Sequence, residues 1–563
     1  MLLQVDNLKT YLRAGKNIVK AVDGISFTID KGEIFCLVGE SGSGKSITAL
    51  SVIQLIPKDI CSHPDGRIAF RCGDPGDPGG NGERETLDML TLAEDKKREV
   101  CGARIAMIFQ EPMTSLNPVF TVGDQIIEVL QIHWPEMDDA EARKRAIAAL
   151  AQVQIPDPEV RIDEYPHRLS GGQRQRVMIA MAMACEPDLL IADEPTTALD
   201  VTVQAEILRL MKELQERKGM SILFITHDFG VVAKMADRVA VMRKGKIVES
   251  GSLEQVLHQP QHDYTKQLLA ALPENLKRQR DLQLIDNPTL IAAAEKKIDE
   301  PALVELKQLE VYFPIKKGLF RRTVDHVKAV DGVDLKIPKG QLLALVGESG
   351  CGKSTLGRAI LRLIDSTAGT IAFNQQEITQ LQRKAMIPFR RDMQIIFQDP
   401  MSSLNPRMTI VTTLIEPMAV HGIGESKEER IEIARQILAR VQLDGDHLWR
   451  YPHEFSGGQR QRIGLARALV LNPKFIVCDE VTSALDVSVQ AEVLQLLMEL
   501  RAEKELTLLF ITHDISVVEY VSDEMAVMHD GKIVERGPTA DICRNPQREY
   551  TQNLLSAVPR LIL

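Results

Sequence analysis

One eight-residue loop occurs twice in this chain, as GESGSGKS at residues 39–46 and as GESGCGKS at residues 347–354. Both copies match the phosphate-loop pattern G-x-x-x-x-G-K-[ST] at every fixed position. An apolar run precedes the first copy at residues 33–38 and a helical pattern follows it at residues 47–56, which predicts a buried strand, a loop and a helix. The glycines let backbone N–H groups face a polyphosphate, and the helix start adds a positive dipole. The sequence therefore predicts two sites for nucleotide phosphates.

Five further motifs recur in the same order, so the whole chain is built twice. They are VKAVDG (19–24 and 327–332), IFQ-[ED]-PM-[TS]-SLNP (108–118 and 396–406), YPH-x-x-SGGQRQR (165–176 and 451–462), DE-x-T-x-ALDV (193–201 and 479–487) and FITHD (224–228 and 510–514). Repeats this far apart indicate two complete domains rather than a solenoid, whose period is about 20–50 residues. The intervening residues 273–301 are charged and bounded by prolines, which is typical of a linker. We expect domains at 1–272 and 303–563, a linker at 273–302, and a short helix at 290–298.

Composition places the chain among ordinary globular proteins. At 563 residues, 44% of them hydrophobic, it is too long for a single core. The net charge of −10 argues against a nucleic-acid partner, which usually requires a basic surface. No apolar run reaches the roughly 18 residues of a membrane span, the N-terminus lacks a secretory pattern, and the eight cysteines form no C-x-x-C pair. We therefore expect a cytosolic protein without a zinc ribbon or a redox motif.

Short apolar runs are often followed by helical patterns in each half. Residues 188–193 and 221–227 are typical of fully buried strands in a parallel sheet. Residues 239–251 predict a hairpin, and residues 124–153 predict a helical insert. Residues 72–85 are rich in glycine and proline, which predicts an exposed loop to which we assign no chemistry. The expected class is α/β with a helical subdomain in each half.

An acidic pair follows a buried strand in each half. Asp193 ends an apolar run and Glu194 comes directly after it, as do Asp479 and Glu480 in the second half. The aspartate is placed to hold Mg²⁺ beside the phosphate loop, and the glutamate to polarise a water for attack on the γ-phosphate. An isolated Asp-Glu pair is more often a solvated turn. The apolar strand in front of each pair and its repetition in register with the loop favour the functional interpretation.

The SGGQ motif begins a helix in each half, at residues 170–173 and 456–459. Ser170 is a good N-cap, and the two glycines leave backbone N–H groups open at the helix start, which suits an anion. An ordinary capped helix is the alternative. Because each half also has a phosphate loop, the repetition suggests that a nucleotide is held from two sides.

Single polar side chains end other apolar runs. His227 and His513 stand at strand ends, where we expect a γ-phosphate contact rather than a purely structural role. Gln110 and Gln398 end the runs IAMIF and MQIIF, and their amides could touch Mg²⁺ or water. Each glutamine also stands at the entry to the helical insert, where it could report the state of the phosphate.

Two tyrosines complete the predicted sites. Tyr11 and Tyr312 lie in the first strand of each half and could stack on a base, although simple strand packing is almost as good an interpretation. Lys45 can reach the β and γ phosphates, and the Ser46 hydroxyl can bind Mg²⁺. Ile47 stands where the second half has Thr355, so one hydroxyl contact to phosphate is missing from the first loop.

The predicted site residues fall into three groups. The catalytic group is Glu194, His227, Glu480 and His513. The nucleotide-binding group is Tyr11, Gly39, Glu40, Ser41, Gly42, Ser43, Gly44, Lys45, Ser46, Ile47, Ser170, Gly171, Gly172, Gln173, Tyr312, Gly347, Glu348, Ser349, Gly350, Cys351, Gly352, Lys353, Ser354, Thr355, Ser456, Gly457, Gly458 and Gln459. The Mg²⁺ group is Ser46, Gln110, Asp193, Ser354, Gln398 and Asp479.

Six motifs appear twice in the same order: the phosphate loop, the glutamine loop, the SGGQ signature, the strand-end Asp-Glu pair, the ALD loop and the switch histidine. In this combination the chain resembles a tandem pair of ATP-binding-cassette domains. The resemblance implies two P-loop NTPase domains with RecA-like cores, each with a helical subdomain and an antiparallel β subdomain. The tails QHDYTKQLLAALP (261–273) and QREYTQNLLSAVP (547–559) resemble the peptide/nickel importer branch. A fused pair is most similar to the ATP-binding subunits of glutathione importers or of microcin C/oligopeptide importers.

The resemblance implies an ATP-hydrolysing, energy-coupling subunit, peripheral on the cytoplasmic face of a bacterial inner membrane. Its implied partners are two transmembrane permease subunits and a periplasmic solute-binding protein. It also implies head-to-tail pairing, in which Lys45 faces residues 456–459 across one ATP and Lys353 faces residues 170–173 across the other. ATP and Mg²⁺ are the implied cofactors, and no iron–sulfur cluster is expected because no cysteine cluster follows Tyr264 or Tyr550.

Other classes of tandem cassette remain as alternatives. The main one is a soluble factor acting on ribosomes, which usually has a longer charged linker and a basic surface. A DNA-repair cassette would carry zinc-binding cysteine pairs, which this sequence lacks. A structural protein with inactive sites is disfavoured because both halves carry every hydrolytic residue type. The sequence does not identify the transported solute.

Overall fold

The computed structural model describes residues 1–15, 17–72, 85–110, 115–197, 199–286, 302–317, 322–399, 403–483, 485–559 and 561. The chain divides into two compact units. The first comprises Met1–Leu199, Val203–Leu269 and Pro559–Leu563, and the second comprises Asp200–Thr202 and Ala270–Val558.

Two sheets form the first unit. Its strands are β1 (Leu3–Ala14), β2 (Asn17–Ile29), β3 (Ile34–Val38), β4 (Cys61–Ser62), β5 (Arg67–Cys72), β6 (Glu85–Asp88), β7 (Ile105–Ile108), β8 (Leu189–Asp193), β9 (Ser221–Thr226), β10 (Arg238–Arg243) and β11 (Lys246–Ser252). An antiparallel sheet has the order β2-β1-β5-β6, with β4 paired to β1. The second sheet has the order β11-β10-β3-β9-β8-β7, in which only β11 is antiparallel to its neighbour.

The central strands β3, β8 and β9 are buried along their whole length. Continuous apolar runs form such strands because both faces of the strand are buried, so that every side chain gains from being removed from water. The predicted parallel strands at 188–193 and 221–227 are thereby confirmed, as is the hairpin of β10 and β11. The carboxyl ends of the parallel strands β3, β8 and β9 lie at the same edge of the sheet. The phosphate loop and the acidic pair lie at that edge.

The helices of the first unit are α1 (Lys45–Val52), α2 (Glu94–Val100), α3 (Val122–His133), α4 (Asp139–Gln152), α5 (Pro158–Arg161), α6 (Gly171–Met183), α7 (Val201–Lys218, whose first two residues group with the second unit), α8 (Phe229–Met235), α9 (Leu253–His258) and α10 (Asp263–Ala270). Helix α1 follows the phosphate loop directly, and its buried Ala49 and Val52 join the core between the two sheets. Helices α3 and α4 form the predicted insert. Their first turns are capped by Thr121 and Asp138, whose side chains accept hydrogen bonds from backbone N–H groups.

The second unit repeats this architecture. Its strands are β12 (Ala302–Lys317), β13 (Arg322–Pro338), β14 (Leu342–Val346), β15 (Ala368–Phe373), β16 (Gln376–Glu377), β17 (Met393–Ile396), β18 (Phe475–Asp479), β19 (Thr507–Ile511), β20 (Glu524–His529) and β21 (Lys532–Pro538). They form an antiparallel sheet of order β13-β12-β15-β16 and a second sheet of order β17-β18-β19-β14-β20-β21. Read from the opposite edge, the second order matches that of the first unit, so the fold class predicted from the repeat is confirmed.

The helices of the second unit are α11 (Pro273–Asp286), α12 (Lys353–Ile360), α13 (Ile387–Asp392), α14 (Ile410–Val420), α15 (Lys427–Arg440), α16 (Gly457–Leu469), α17 (Val487–Lys504), α18 (Ile515–Val521), α19 (Thr539–Arg544) and α20 (Glu549–Ala557). Helix α11 lies within the segment that the sequence predicts as a linker. It packs on α18, where Lys277 pairs with Glu519 at 2.9 Å and the Ser516 hydroxyl donates to Glu274 at 2.7 Å.

Two predictions fall on parts of the chain without a description. Residues 290–298, predicted as a short helix, lie outside the described residues, and so do residues 73–84 of the predicted exposed loop. The flanks of that loop, Cys72 and Glu85, pair with each other at the ends of β5 and β6. Among the described residues, no helix combines the length and the apolarity that crossing a bilayer requires.

Candidate nucleotide site

Each phosphate loop holds its lysine in the same way. The Lys45 ammonium donates to the carbonyl oxygens of Gly39 and Glu40 at 2.7 and 3.0 Å. Lys353 donates to the equivalent carbonyls of the second loop at 2.7 and 2.8 Å. Both lysines are 5% exposed. A buried ammonium held by carbonyl dipoles at the centre of a glycine loop suits a polyphosphate, which would supply the opposite charge.

The loop glycines are required by the local backbone. Gly44 has φ +105°, and a Cβ there would lie 2.3 Å from the carbonyl oxygen of Ala21. Gly39 has φ +150°, and its Cβ would lie 2.2 Å from the carbonyl oxygen of Met242. The Ser43 hydroxyl is buried, and none of the residues that the structure describes forms a hydrogen bond with it. A tight cradle with an unsatisfied hydroxyl fits a ligand rich in acceptor oxygens.

The loop serine is joined to the strand-end aspartate in both units. The Ser46 hydroxyl donates to Asp193 at 3.0 Å, and the Ser354 hydroxyl donates to Asp479 at 2.7 Å. Burial raises the pKa of Asp193 to about 6, against the opposing effect of the Ser46 hydrogen bond. Burial also raises the pKa of Asp479. A hydroxyl and a desolvated carboxylate side by side are hard oxygen donors, so these residues fit a Mg²⁺ ion.

Glu194 is held by three side chains. Its carboxylate lies 3.1 Å from His227 Nδ1 and accepts hydrogen bonds from Thr197 at 3.0 Å and from Gln110 at 2.9 Å. Burial alone would raise the pKa of Glu194, but the hydrogen bond and charge of His227 outweigh burial and lower it. Burial alone would lower the pKa of His227, and Glu194 raises it instead. The pair therefore favours an ionised glutamate beside a protonated histidine.

The second unit has the same arrangement. His513 Nδ1 lies 3.6 Å from the carboxylate of Glu480, and Gln398 donates to that carboxylate at 2.6 Å. The contact with His513 lowers the pKa of Glu480, and the contact with Glu480 raises the pKa of His513. Each glutamate has left-handed backbone, with φ +47° at Glu194 and +48° at Glu480. This conformation is unfavourable for glutamate and recurs at sites where a side chain must be aimed.

Each predicted glutamine contacts the glutamate of its own site. The Gln110 amide donates to Glu194 and the Gln398 amide donates to Glu480. The donor in each contact is the Nε2 group of the glutamine. Their role as Mg²⁺ ligands stays a prediction.

The SGGQ motifs form capped helix starts. The Ser170 hydroxyl accepts from the Gln173 N–H at 3.2 Å, and the Gln173 amide oxygen accepts from the Ser170 N–H at 3.1 Å. The same capping box begins α16 at Ser456 and Gln459. A Cβ at Gly172 would lie 2.6 Å from Val203 on α7, so this glycine is required by packing. The contact of these motifs with nucleotide stays a prediction.

The tyrosines of the first strands are engaged locally. The Tyr11 hydroxyl donates to Asp23 at 2.8 Å, and the Lys20 ammonium lies 5.3 Å from the centre of its ring. Tyr312 donates to Asp331, with Lys328 at 5.2 Å from its ring. Stacking on a base stays a prediction for both.

A cleft of about 540 Å³ opens over the first loop. Its described lining includes the predicted residues Ser41, Gly42, Gly44, Lys45, Ser46, Ile47, Gln110 and Glu194. It also includes Lys20 and Lys244, which sequence reasoning missed. The signal was present, since Lys20 lies in the duplicated VKAVDG motif and Lys244 in the hairpin turn. Two further cations at the mouth of the cleft suit a polyanionic ligand.

One of the differences between the helices that follow the two loops adds a cation to the second site. Arg358 of α12 lies 3.7 Å from Asp479, whereas Leu50 occupies the equivalent position of α1. Asp479 therefore has an arginine beside it at a position where the first unit has a leucine. Among the described residues, no group of three or more His, Cys, Asp or Glu side chains is placed to hold a metal ion. The absence of an iron–sulfur cluster stays a prediction.

A glycine-loop lysine, a hydroxyl beside a buried aspartate, and a glutamate paired with a histidine define a P-loop ATPase with two nucleotide-binding units. Residues 22–197 and 330–483 match the family described as ABC transporter. Residues 248–296 and 534–562 match the family described as oligopeptide/dipeptide transporter, C-terminal region. The chain belongs to the ABC transporter family, binds ATP and is an ATPase.

Individual relatives match over nearly the whole chain. The peptidoglycan transport ATP-binding protein YejF of Agrobacterium fabrum (strain C58 / ATCC 33970) is 50% identical over 556 residues, which cover 99% of this chain and 96% of that protein. The glutathione import ATP-binding protein GsiA of Salmonella choleraesuis (strain SC-B67) is 48% identical, covering 96% of this chain and 87% of that protein. A solved dimeric structure of MJ0796, a bacterial ABC transporter cassette, is 26% identical with a TM-score of 0.39, covering 45% of this chain and 99% of that one.

Proposed function

We propose that this chain is the ATP-hydrolysing subunit of an importer for peptides or peptide-derived solutes. The observation that carries the proposal is full-length identity of 48–50% to ATP-binding proteins named for peptidoglycan transport and glutathione import. The match of both halves to a C-terminal region named for oligopeptide and dipeptide transporters supports the same solute class. A ribosome-bound factor is disfavoured by these relatives.

The residues of each unit take distinct roles in hydrolysis. Lys45 and Lys353 bind the phosphates, and the Ser46–Asp193 and Ser354–Asp479 pairs would hold Mg²⁺. When bound, that ion neutralises charge on the phosphates and orients them. Glu194 and Glu480 are ionised and aimed by left-handed backbone, so each can orient and polarise the attacking water. His227 and His513 keep the glutamates ionised and contact the γ-phosphate.

The two halves work as a head-to-tail pair. Ser456 and its neighbours close the ATP held by Lys45, and Ser170 and its neighbours close the ATP held by Lys353. Within the described part of the chain, a Cβ at Gly171 or Gly457 would meet no atom within 4 Å, which supports the approach of a ligand at both helix starts. Two permease subunits, at the cytoplasmic face of a bacterial inner membrane, respond to this closing of the two halves on ATP. A periplasmic binding protein delivers the solute.

Uptake in living cells tests the proposal. A deletion strain should lose uptake of labelled peptidoglycan-derived peptide or of labelled glutathione, and the wild-type chain should restore it. A chain carrying Glu194→Gln and Glu480→Gln should be expressed equally and restore nothing. Normal uptake of both solutes in the deletion strain, together with co-sedimentation of the chain with ribosomes, would instead favour the translation-factor alternative.

A further inference from the structure

A tyrosine from the C-terminal part of each unit touches its phosphate loop. Tyr264 lies on α10 and its hydroxyl donates to the Glu40 carboxylate at 2.9 Å. Tyr550 lies on α20 and its hydroxyl accepts from the Glu348 N–H at 3.1 Å. The Glu40 N–H also hydrogen bonds to the Tyr264 hydroxyl. The contact is thus made in both units, by residues more than 200 positions apart in each.

The tyrosine and the loop lysine hold opposite ends of one peptide unit. Lys353 donates to the carbonyl oxygen of Gly347, and the N–H of the same peptide bond, on Glu348, donates to Tyr550. Because a peptide bond is planar and its C=O and N–H point in opposite directions, two bonds on opposite sides fix its rotation. Rotation of this unit would turn the carbonyl away from the lysine. The tyrosine therefore controls the acceptor that places the ammonium.

Each tyrosine ring is contacted by the last residue of a strand, β10 in the first unit and β20 in the second. The Arg243 guanidinium, at the end of β10, lies 4.4 Å from the centre of the Tyr264 ring. His529, at the end of β20, stacks on Tyr550 with ring centres 4.0 Å apart. The residues before them, Met242 and Met528, present the carbonyls that crowd the first loop glycines. Loop, strand end and tyrosine thus form one packed group in each unit.

We propose that Tyr264 and Tyr550 are positioning residues for ATP binding, which orient the first peptide unit of each phosphate loop and through it the loop lysine. This assigns a role to the region matched as the oligopeptide/dipeptide transporter C-terminal region, which contains both tyrosines. The inference rests on the proposed binding of phosphates by Lys45 and Lys353. The hydroxyls act through the loop and touch no reacting atom.

Steady-state ATP hydrolysis by the full-length purified chain tests the proposal. Tyr264→Phe and Tyr550→Phe keep the rings and remove only the hydroxyls. A lost hydrogen bond of ordinary strength corresponds to roughly a 3- to 10-fold effect, so we expect the double variant to raise KM for ATP by about that factor with kcat within about twofold of wild type. Tyr264→Phe should have the larger single effect, because its hydroxyl makes two bonds to Glu40.

Tyr520→Phe provides the matched control. Tyr520 lies on α18 with Arg280 over its ring, and loss of its hydroxyl should leave KM unchanged. A KM for ATP in the double variant equal to that of wild type would overturn the proposal, as would a fall in kcat alone. A lower thermal midpoint of unfolding with unchanged KM would indicate a purely structural hydroxyl and would also overturn it. Failure of the wild-type chain to bind ATP would instead contradict the proposed function.

Discussion

The side-chain amide of Gln110 donates a hydrogen bond to the Glu194 carboxylate at 2.9 Å, and Gln398 makes the same contact with Glu480 at 2.6 Å. Each glutamine lies two residues beyond the end of a strand, β7 or β17, on the way to the helical insert. The residue that we expect to activate water is therefore connected directly to the segment that we expect to sense the permease.

Replacing both glutamates should separate ATP binding from hydrolysis. Glu194→Gln with Glu480→Gln keeps shape but removes the negative charge that polarises water, so kcat should fall by roughly 10²- to 10⁴-fold. ATP affinity, measured by equilibrium binding, should stay within a few fold of wild type. Glu216→Gln, on the exposed face of α7, is the matched control and should hydrolyse ATP normally. Wild-type turnover in the double variant would remove these glutamates from the mechanism.

Removing the glutamine contact should slow hydrolysis without abolishing it. Gln110→Ala with Gln398→Ala deletes one of the donors to each carboxylate, and a hydrogen bond to a charged group is worth about 10-fold or more. We expect kcat to fall by about 10-fold while His227 and Thr197 still hold Glu194. Gln131→Ala, which removes only an amide bonded to Asp139 on the helical insert, should leave turnover unchanged. An unaltered kcat in the double alanine variant would show that the amides do not orient the glutamates.

The difference at Arg358 should make the two sites unequal in their demand for Mg²⁺. Arg358 is a half-exposed cation 3.7 Å from Asp479, so Arg358→Leu should lower the Mg²⁺ concentration for half-maximal ATP hydrolysis by about two- to fivefold. The reciprocal change, Leu50→Arg, should raise it by a similar factor. Titration of turnover with Mg²⁺ at saturating ATP measures both. Identical titrations for the three proteins would contradict this account.

Docking of α11 on α18 should weaken as pH rises. Burial raises the pKa of Glu274, partly offset by the Ser516 hydrogen bond, and the carboxylates of Asp514 and Glu519 raise it further. The neutral acid is thus favoured in the docked helix, so its stabilisation is complete below the ordinary glutamate pKa and is lost as pH rises through the higher folded value.

Glu274→Gln, which cannot ionise, should make the docking of α11 less dependent on pH. Amide hydrogen exchange of α11, corrected for intrinsic rates between pH 4.5 and 8, should show greater protection in this variant than in wild type at the alkaline end. Asp281→Asn, on the exposed side of the same helix, should follow the wild-type profile. Equal protection of wild type and Glu274→Gln at every pH would contradict the expected cost of a buried charge.

Sequence reasoning predicted the features whose signals are local. The phosphate loops, the buried strands and the hairpin of β10 and β11 each follow from a short pattern, and duplication doubled the evidence. The Tyr264–Glu40 contact joins residues 224 positions apart, and no local pattern reports it.

The sequence did not predict helix α11, for a different reason. Its charged sequence shows almost no apolar face, so composition indicated a linker. The helix is instead stabilised by tertiary contacts, including Leu276 buried against the core of the second unit. The sequence also could not predict that Gln110 contacts Glu194, because an amide has both a donor and an acceptor. Only the structure shows which of them is used.

The left-handed backbone at Glu194 and Glu480 aims a catalytic carboxylate at a cost in folding stability. Glycine at either position would relieve backbone strain of about 1 kcal/mol, but it would remove the carboxylate and its contacts with the histidine and the glutamine. The strain cannot therefore be relieved by glycine without losing the group that we expect to polarise water. An aimed carboxylate and a relaxed main chain exclude each other at Glu194 and Glu480.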